Sequence, residues 1–264
     1  MEKMSKVLVI IKSMGIGDLS ILISNIHAIS EKIGVPVTVL AQESTRAKSI
    51  LQHDPHIEEV IEFDEKEIKG FFNIIKKIKP KKFDQSYIFS DSIRFYLIAE
   101  MSGIKRNFHY RFFSKKEKNF FKTAKEFTEK ILNAEVNPQS KIYSNISDIE
   151  QAKKKYNITN KTKNIICGIS ASGPTKRWDI NNYIRLFEEL NKKYKSNFFL
   201  AGGLKDEDLI KRVINSNIGK NCLSFSKMNL SEAIPIIAAS QYYIGNDTGW
   251  GHIASGLGLK SLFL

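Results

Sequence analysis

Short apolar segments alternate with longer amphipathic segments along the whole chain, and this alternation most constrains the fold. The apolar segments have the length of buried β-strands, and the amphipathic segments have the periodicity of helices. Strands that alternate with helices form parallel sheets covered on both faces, because parallel strands need crossover connections. The predicted strands are residues 6–11, 37–41, 59–63, 83–89, 164–169, 197–201, 221–225, 242–245 and 260–264.

The alternation is interrupted over residues 133–146, a polar segment that contains Pro138. We interpret this segment as a linker between two α/β domains, residues 1–146 and 147–264. Each domain is expected to be Rossmann-like and doubly wound, and the two face a cleft into which the carboxyl ends of the strands point. Because termini normally lie at the surface, a chain that stops inside an apolar strand at Leu264 suggests a truncated C-terminal part.

The most informative loop follows the predicted strand 242–245. Asp247 and Thr248 stand where a following helix would be capped, and Gly249 and Gly251 allow a ligand to approach the backbone. A helix N-terminus offers free N–H groups and the positive end of a dipole, which suits a phosphate. The alternative is a capped helix in an ordinary α/β turn.

A second glycine-containing loop, with Gly15 and Gly17, follows the first strand. It has the strand–glycine–helix context of a dinucleotide-binding fingerprint, but Ile21 stands where the third glycine would be. Asp18 starts the next helix. The spacing is consistent with a helix N-cap or with a general base that faces the cleft.

A third loop, residues 170–178, presents Lys176 and Arg177 beside Trp178. A departing diphosphate needs such cations. The alternative is a surface turn in which the cations are solvated. In either case, Trp178 is expected to anchor the following helix.

The two remaining loops have plainer interpretations. The pair Asp206 and Asp208 resembles a metal-binding motif, but acidic residues in a first helical turn are better explained by the helix dipole. Met228, in the short loop before a helix, contacts a nucleobase or simply packs.

Together these loops resemble those of glycosyltransferase family 9, the heptosyltransferases of lipopolysaccharide inner-core assembly. The resemblance runs through nearly the whole chain and implies a GT-B fold, with the acceptor in the first domain and an ADP-activated heptose in the second. The chain departs from the family pattern at two points. Trp250 stands where the family often has proline, and this sequence stops at the last strand, whereas family sequences continue past it. The motifs that carry the resemblance are Gly15–Asp18, Lys176–Trp178, Gly202–Gly203, Lys227–Leu230 and Asp247–Gly249 with His252.

The resemblance implies an inverting, metal-independent transfer with Asp18 as the base and Lys176 as the group that stabilises the departing diphosphate. We expect no cofactor and no bound metal, with the ADP-sugar acting as a substrate. The donor-binding residues that it implies are Lys176, Met228, Asp247, Thr248, Gly249 and His252. We assign acceptor binding to Gly15, Gly17, Lys105, Arg106 and Arg111.

The net charge of +13, from 41 basic and 28 acidic residues, indicates an acidic partner. The cluster 76–82 is best interpreted as a solvated surface, whereas the cluster 105–118 also contains aromatic residues and could equally dock to an anionic surface. We expect a monomer that binds a nucleotide-sugar and an anionic glycolipid acceptor. Its expected location is the cytoplasm, with peripheral contact at the inner face of the inner membrane. No nucleic-acid motif is recognisable, so nucleic-acid binding is disfavoured.

The remaining features bound the class of protein. Cys167 and Cys222 lie in apolar segments, which indicates buried free thiols in a reducing compartment. No apolar run is long enough for a transmembrane helix, and the first eleven residues do not have the pattern of a signal peptide. Two other functions stay open: the same fold with another nucleotide-sugar and glycan acceptor, and a relative that binds nucleotide-sugars without catalysis.

Overall fold

The computed structural model describes residues 5–12, 15–64, 70–110, 119–171 and 173–264. The chain divides into two compact units, Met1–Lys141 and Ile142–Leu264. The division falls inside the predicted linker, a few residues before the predicted boundary at residue 146. The described part of each unit contains a five-stranded sheet in which all paired strands are parallel. The expectation of two Rossmann-like α/β units is therefore confirmed.

The sheet of the first unit has the strand order β3-β2-β1-β4-β5. Its central strand, β1, is buried along its whole length, as its uninterrupted apolar sequence requires. The strands are β1 (Val7–Ile11), β2 (Val37–Gln42), β3 (Ile57–Phe63), β4 (Gln85–Phe89) and β5 (Arg106–His109). The helices are α1 (Ile16–Ile33), α2 (Ala47–Ile50), α3 (Phe71–Ile78), α4 (Ile93–Met101) and α5 (Phe120–Leu132).

The sheet of the second unit has the order β10-β9-β6-β7-β8, so its first and fourth strands are neighbours, as in the first unit. The strands are β6 (Lys163–Gly168), β7 (Ser196–Ala201), β8 (Cys222–Ser224), β9 (Tyr242–Gly245) and β10 (Lys260–Phe263). The helices are α6 (Ile146–Lys155), α7 (Ile180–Lys193), α8 (Glu207–Ile214), α9 (Leu230–Ala239) and α10 (Gly249–Gly256).

Strand β5 was not predicted from the sequence, which indicated for residues 105–118 either a solvated surface or a segment that docks to an anionic surface. Residues 106–109 pair with β4 in the register Gln85↔Arg106 to Ile88↔His109. Asn107 secures the pairing, because its side-chain oxygen accepts a 2.7 Å hydrogen bond from the Ser86 hydroxyl. The strand was missed because it is short, lies at the sheet edge and begins with two polar residues, Arg106 and Asn107.

Both thiols are free, but they are not equally buried. Cys167 is fully enclosed in β6, and burial raises the pKa of its thiol well above the usual range. Cys222 is only half-buried, which corrects the expectation that both are buried, and desolvation raises the pKa of its thiol to about 12. No described helix combines the length and the apolar composition needed to cross a bilayer.

Candidate functional site

The candidate site lies at the carboxyl edge of the second sheet, where β6 and β9 are neighbours. The chain leaves these two strands towards opposite sides of the sheet, and in open α/β sheets such diverging loops border a crevice. The loop after β6 contains Lys176 and Trp178, and the short loop after β9 leads into α10. Such a switch point is the usual ligand-binding position in an open α/β sheet.

Asn246 holds the two loops together, and sequence reasoning gave it no role. Its side-chain oxygen accepts a 3.0 Å hydrogen bond from the backbone N–H of Trp178. Its amide nitrogen donates to the carbonyl oxygens of Ser170 at 3.0 Å and Ile169 at 3.3 Å. Asn246 is only 1% exposed, so these partners replace water completely. A polar residue directly after an apolar strand, between Gly245 and Asp247, was the available sequence signal.

Two tyrosines fix the backbone below this crevice. The hydroxyl of Tyr243 donates to the Asn246 carbonyl oxygen at 2.7 Å, and the hydroxyl of Tyr183 donates to the Gly168 carbonyl oxygen at 3.1 Å. Burial raises the pKa of both hydroxyls, that of Tyr243 to about 12, so both remain donors at neutral pH. Gly168 and Gly245 are opposite each other in the ladder, and a Cβ on Gly245 would lie 2.5 Å from the Gly168 Cα.

Helix α10 begins at the mouth of the crevice. Thr248 occupies the N-cap position in an extended conformation, and within the described residues its side chain makes no capping hydrogen bond. Its hydroxyl oxygen instead lies 3.4 Å from the hydroxyl oxygen of Tyr243. The Thr248 side chain therefore does not accept a hydrogen bond from the backbone N–H groups at the start of α10. Such N–H groups are the part of a helix that binds phosphate.

Two details of this segment refine the sequence-based prediction. Asp247 is exposed and precedes the N-cap residue Thr248, and one of its carboxylate oxygens lies 3.4 Å from Nε2 of His252. Gly251 was expected to make room for a ligand. A Cβ at this position would instead collide with the Phe263 ring and meet Tyr243 at 3.0 Å, so packing explains the glycine.

The two cations of the loop after β6 have different environments. Lys176 is exposed at the end of a short 3₁₀ turn. Arg177, which was expected to present charge to a diphosphate, has Nη2 3.5 Å from a carboxylate oxygen of Asp206. The other oxygen of Asp206 accepts a 3.0 Å hydrogen bond from the Gly203 N–H. Arg177 and Asp206 thus join the loops after β6 and β7, and Lys176 is the better candidate for a phosphate.

Met228 and Trp250 lie on the β8 side of the α10 start. The Trp250 ring packs against Phe225 with the ring centroids 5.8 Å apart. The backbone N–H of Met228 donates to the Phe225 carbonyl oxygen at 2.9 Å, which closes the turn after β8. Trp250, the departure from the family pattern, is therefore half-buried against this turn. Lys176, Met228, Asp247, Thr248, Gly249 and His252 are all carried by loops or the helix start at one edge of one sheet.

In the first unit, Gly15, Gly17 and Asp18 follow β1 at the corresponding switch point beside β4. Gly15 occupies the N-cap position of α1, and Asp18 lies in the first turn. The N-cap interpretation of Asp18 is therefore wrong. Asp18 is half-buried, and its assignment as a base stays a prediction.

Lys105 and Arg106 were grouped with Gly15 and Gly17 as acceptor-binding residues, but the structure does not bring them together. Arg106 is the first residue of β5 and pairs with Gln85, the first residue of β4. Lys105 and Arg106 therefore lie at the amino edge of the sheet. Gly15 and Gly17 lie at the carboxyl edge. Lys105 and Arg106 lie where β5 begins, and Gly15 and Gly17 lie where β1 ends. The two pairs are therefore at opposite edges of the sheet and cannot form one acceptor site. Arg111 lies outside the described residues.

The amino edge also carries His27, Asp54 and His56, a combination of residue types that could hold a metal ion. The Asp54 carboxylate lies 2.7 Å from Nε2 of His27 and 3.1 Å from Nδ1 of His56, and the two imidazole rings stack with centroids 4.2 Å apart. Asp54 also accepts the His56 N–H at 3.0 Å. These contacts already satisfy the carboxylate, so the cluster is explained by fixing the turn before β3.

Comparison with solved structures identifies the same two-unit fold in glycosyltransferases. ADP-heptose LPS heptosyltransferase II of E. coli is 19% identical with a TM-score of 0.76, and the match covers 97% of this chain and 83% of that one. A family 9 glycosyltransferase of Veillonella parvula is 16% identical with a TM-score of 0.81, covering 99% and 80%. E. coli heptosyltransferase WaaC with ADP-2-deoxy-2-fluoro heptose is 14% identical with a TM-score of 0.71, covering 97% and 87%. A search of curated proteins found no match.

These likenesses establish the fold as GT-B type. The family itself is shown by the sequence, because the model described as glycosyltransferase family 9 (heptosyltransferase) matches residues 72–264. That range includes the crevice of the second unit with Lys176, Met228 and the α10 start. The chain therefore belongs to glycosyltransferase family 9 and is a glycosyltransferase.

Proposed function

We propose that the protein is an inverting, metal-independent transferase that moves a heptose or a related sugar from an ADP-sugar to a hydroxyl of a lipopolysaccharide inner-core acceptor. The observation that carries the proposal is the link through Asn246 between the Lys176 loop and the start of α10. This link keeps a cation and a helix N-terminus at one edge of the sheet, as a sugar diphosphate requires. The family and the named activities of its solved relatives support the choice of sugar.

The donor would bind in the second unit. The diphosphate would accept hydrogen bonds from the N–H groups of Thr248 and Gly249 at the start of α10, with Lys176 as the countercharge. Met228 would lie against the adenine ring. The 3.4 Å contact between Asp247 and His252 would hold the imidazole over the first turn of α10, where it supports the loop or the sugar.

The transfer would be a single displacement. Asp18 takes the proton of the acceptor hydroxyl as its oxygen attacks the anomeric carbon, and the bond from that carbon to the ADP oxygen breaks. Attack from the face opposite the leaving group inverts the anomeric configuration. The electron pair of the broken bond stays with ADP, where Lys176 and the α10 start stabilise the growing negative charge. Because fixed protein groups supply this positive charge, the scheme needs no metal ion.

The proposed acceptor is an anionic glycolipid, so the proposed location is the cytoplasmic face of the inner membrane, with the protein as a peripheral monomer. The net charge of +13 supports a partner of this kind, because basic residues near an anionic membrane strengthen binding. Nucleic acid would satisfy the charge equally but would not use a crevice with a helix N-terminus at a switch point.

A radiolabelled transfer assay tests the proposal. The protein is incubated with deep-core lipid acceptor and, separately, ADP-heptose, ADP-glucose, UDP-glucose and UDP-N-acetylglucosamine. We expect label to enter the lipid from ADP-heptose, with an inverted anomeric configuration by NMR, in the presence of a metal chelator. Labelling from a UDP-sugar alone would replace the donor assignment. ADP binding without transfer from any donor would indicate a non-catalytic relative, and tight RNA binding without ADP binding would refute the proposal.

A further inference from the structure

Helices α3 and α4 pack side by side on one face of the first sheet, and their outward faces form one surface. The helices meet at their N-terminal ends, where the Arg94 guanidinium lies 5.8 Å from the centroid of the Phe71 ring. We name the outward face the α3–α4 surface. It includes the apolar residues Phe72, Ile93, Leu97 and Met101, the basic residues Lys76, Lys79, Lys82 and Lys105, and the acidic residues Asp84 and Glu100.

The apolar part of this surface is a stripe rather than scattered residues. Ile93, Leu97 and Met101 are four residues apart on α4, so they share one helix face, and they are 42%, 46% and 50% exposed. The opposite face of α4 is already buried in the core of the unit. On the adjacent helix, Phe72 is 64% exposed. The stripe is therefore an apolar face additional to the one that folding requires.

The basic part surrounds a pocket of about 750 Å³ at the C-terminal ends of the two helices. Lys76, Lys79, Lys82 and Lys105 line it, and Phe83 provides an apolar wall. Within the described ranges, none of these four lysines forms an ion pair with a carboxylate, whereas the neighbouring Lys81 lies 2.6 Å from Glu59. The sequence predicted a solvated surface for residues 76–82, but the fold gathers three of those lysines with Lys105, which is distant in sequence.

We propose that the α3–α4 surface docks the protein on an anionic lipid bilayer. The four lysines would bind headgroup phosphates, and Phe72, Ile93, Leu97 and Met101 would enter the boundary between headgroups and acyl chains. A second copy of the chain fits this surface less well, because the interface would gather eight lysines, four from each copy. A free phosphate compound would use the lysines but leave the apolar stripe in water. This inference rests on the proposed function and names the surface that would hold the protein at the bilayer in which the glycolipid acceptor lies.

Vesicle flotation tests the docking surface without any sugar nucleotide or acceptor, so its failure would leave the transfer proposal untouched. We expect the protein to float with phosphatidylcholine vesicles that contain about 30% phosphatidylglycerol and to stay behind with phosphatidylcholine alone. The variant with Lys76→Gln, Lys79→Gln, Lys82→Gln and Lys105→Gln should lose at least about 100-fold in partitioning. The matched control, with Lys154→Gln, Lys155→Gln, Lys192→Gln and Lys193→Gln, has the same net charge and should lose less than about threefold.

A second pair of variants tests the apolar stripe at constant charge. Leu97→Gln with Met101→Gln should lower partitioning on the anionic vesicles about tenfold, because apolar side chains no longer enter the bilayer. The control, Leu204→Gln with Ile214→Gln, removes two exposed apolar residues of the second unit and should have no effect. Circular dichroism confirms that each variant is folded.

Three outcomes would overturn the inference. In the first, the wild-type protein does not bind anionic vesicles. In the second, both lysine variants lose binding equally, so the charge acts without a defined surface. In the third, Leu97→Gln with Met101→Gln abolishes self-association in sedimentation experiments and leaves vesicle binding intact, which would make the surface an interface between two copies.

Discussion

The side-chain oxygen of Asn246 accepts a 3.0 Å hydrogen bond from the backbone N–H of Trp178, 68 residues earlier in the chain. The same side chain donates to the carbonyl oxygens of Ile169 and Ser170. One buried amide thus fixes the relative positions of the loop that carries Lys176 and the loop that starts α10. Both loops leave strands at the switch point of the sheet, so the geometry of the proposed diphosphate site depends on this residue.

Replacing Asn246 should damage both stability and donor binding. Asn246→Ala leaves a buried N–H and two buried carbonyl groups without partners, which should lower the free energy of unfolding by about 2–4 kcal/mol. We expect the affinity for ADP to fall about tenfold as the loops lose their register. Urea unfolding and titration calorimetry measure the two effects. Asn215→Ala, at an exposed helix end, is the control, and equal effects of the two variants would contradict the role of Asn246.

Lys176 should contribute to ADP binding through charge alone. It is exposed, so Lys176→Ala should change the free energy of unfolding by less than about 0.5 kcal/mol. The dissociation constant for ADP should rise about 10- to 100-fold, because a charge-assisted contact to the diphosphate is lost. Lys195→Ala removes an equally exposed charge just before β7, at the opposite edge of the same sheet, and should leave ADP binding unchanged. An unchanged affinity for Lys176→Ala would remove this lysine from the site.

Asp18 should act on the transfer step and not on the donor. Asp18→Asn keeps the shape of the side chain but removes the proton acceptor, so we expect kcat to fall about 10²- to 10⁴-fold. ADP binding should stay within about twofold, because the proposed donor residues belong to the second unit. Asp64→Asn, which follows β3 at the same sheet edge, is the control. If Asp18→Asn turned over at the wild-type rate, another group would have to be the base.

The fold could be predicted from the sequence because its strands are apolar segments separated by amphipathic helices. Each buried strand such as β1 or β6 carries the pattern locally, and parallel pairing follows from the helical crossovers. Strand β5 could not be predicted in this way, because it is four residues long and its first residue is an exposed arginine. Its place in the sheet depends on pairing with β4, which lies 17 residues earlier along the chain.

The candidate site was predicted in position but not in its internal contacts. The loops with Lys176 and Thr248 follow strands, so their common edge could be inferred from topology. The pairing of Arg177 with Asp206 could not be inferred, because these residues belong to loops after different strands and meet only in the folded sheet. The same limit hid Asn246, whose partners are 68 to 77 residues away.

Gly245 should be irreplaceable for a steric reason. A Cβ at this position would lie 2.5 Å from the Cα of Gly168 in the paired strand, and neither backbone can move without breaking the ladder. We expect Gly245→Ala to lower the free energy of unfolding by about 3 kcal/mol or more, or to prevent folding. Gly203→Ala is the control, because a Cβ there meets nothing within 4 Å. Equal thermal stability of the two variants would contradict this close approach.

The buried hydroxyl of Tyr243 should make the second unit sensitive to alkali. Burial raises its pKa from 10.0 to about 12, so between these pH values the unfolded chain releases a proton that the folded chain retains. The stabilisation from this hydroxyl is complete below pH 10 and is lost as the pH rises towards 12. The loss amounts to about 1 kcal/mol at pH 11. Urea unfolding at pH 8 and pH 11 should therefore show a steeper loss for the wild type than for Tyr243→Phe.

At pH 8 the wild type should be the more stable of the two proteins. Tyr243→Phe loses the 2.7 Å hydrogen bond to the Asn246 carbonyl oxygen, which should lower its free energy of unfolding by about 1–2 kcal/mol. Tyr194→Phe is the control, because it removes the hydroxyl from a ring that is 43% exposed. All other groups that titrate above pH 10 are common to the three proteins and cancel in the comparison. If Tyr243→Phe and the wild type lost the same stability between pH 8 and pH 11, the hydroxyl would titrate alike in the folded and unfolded chain.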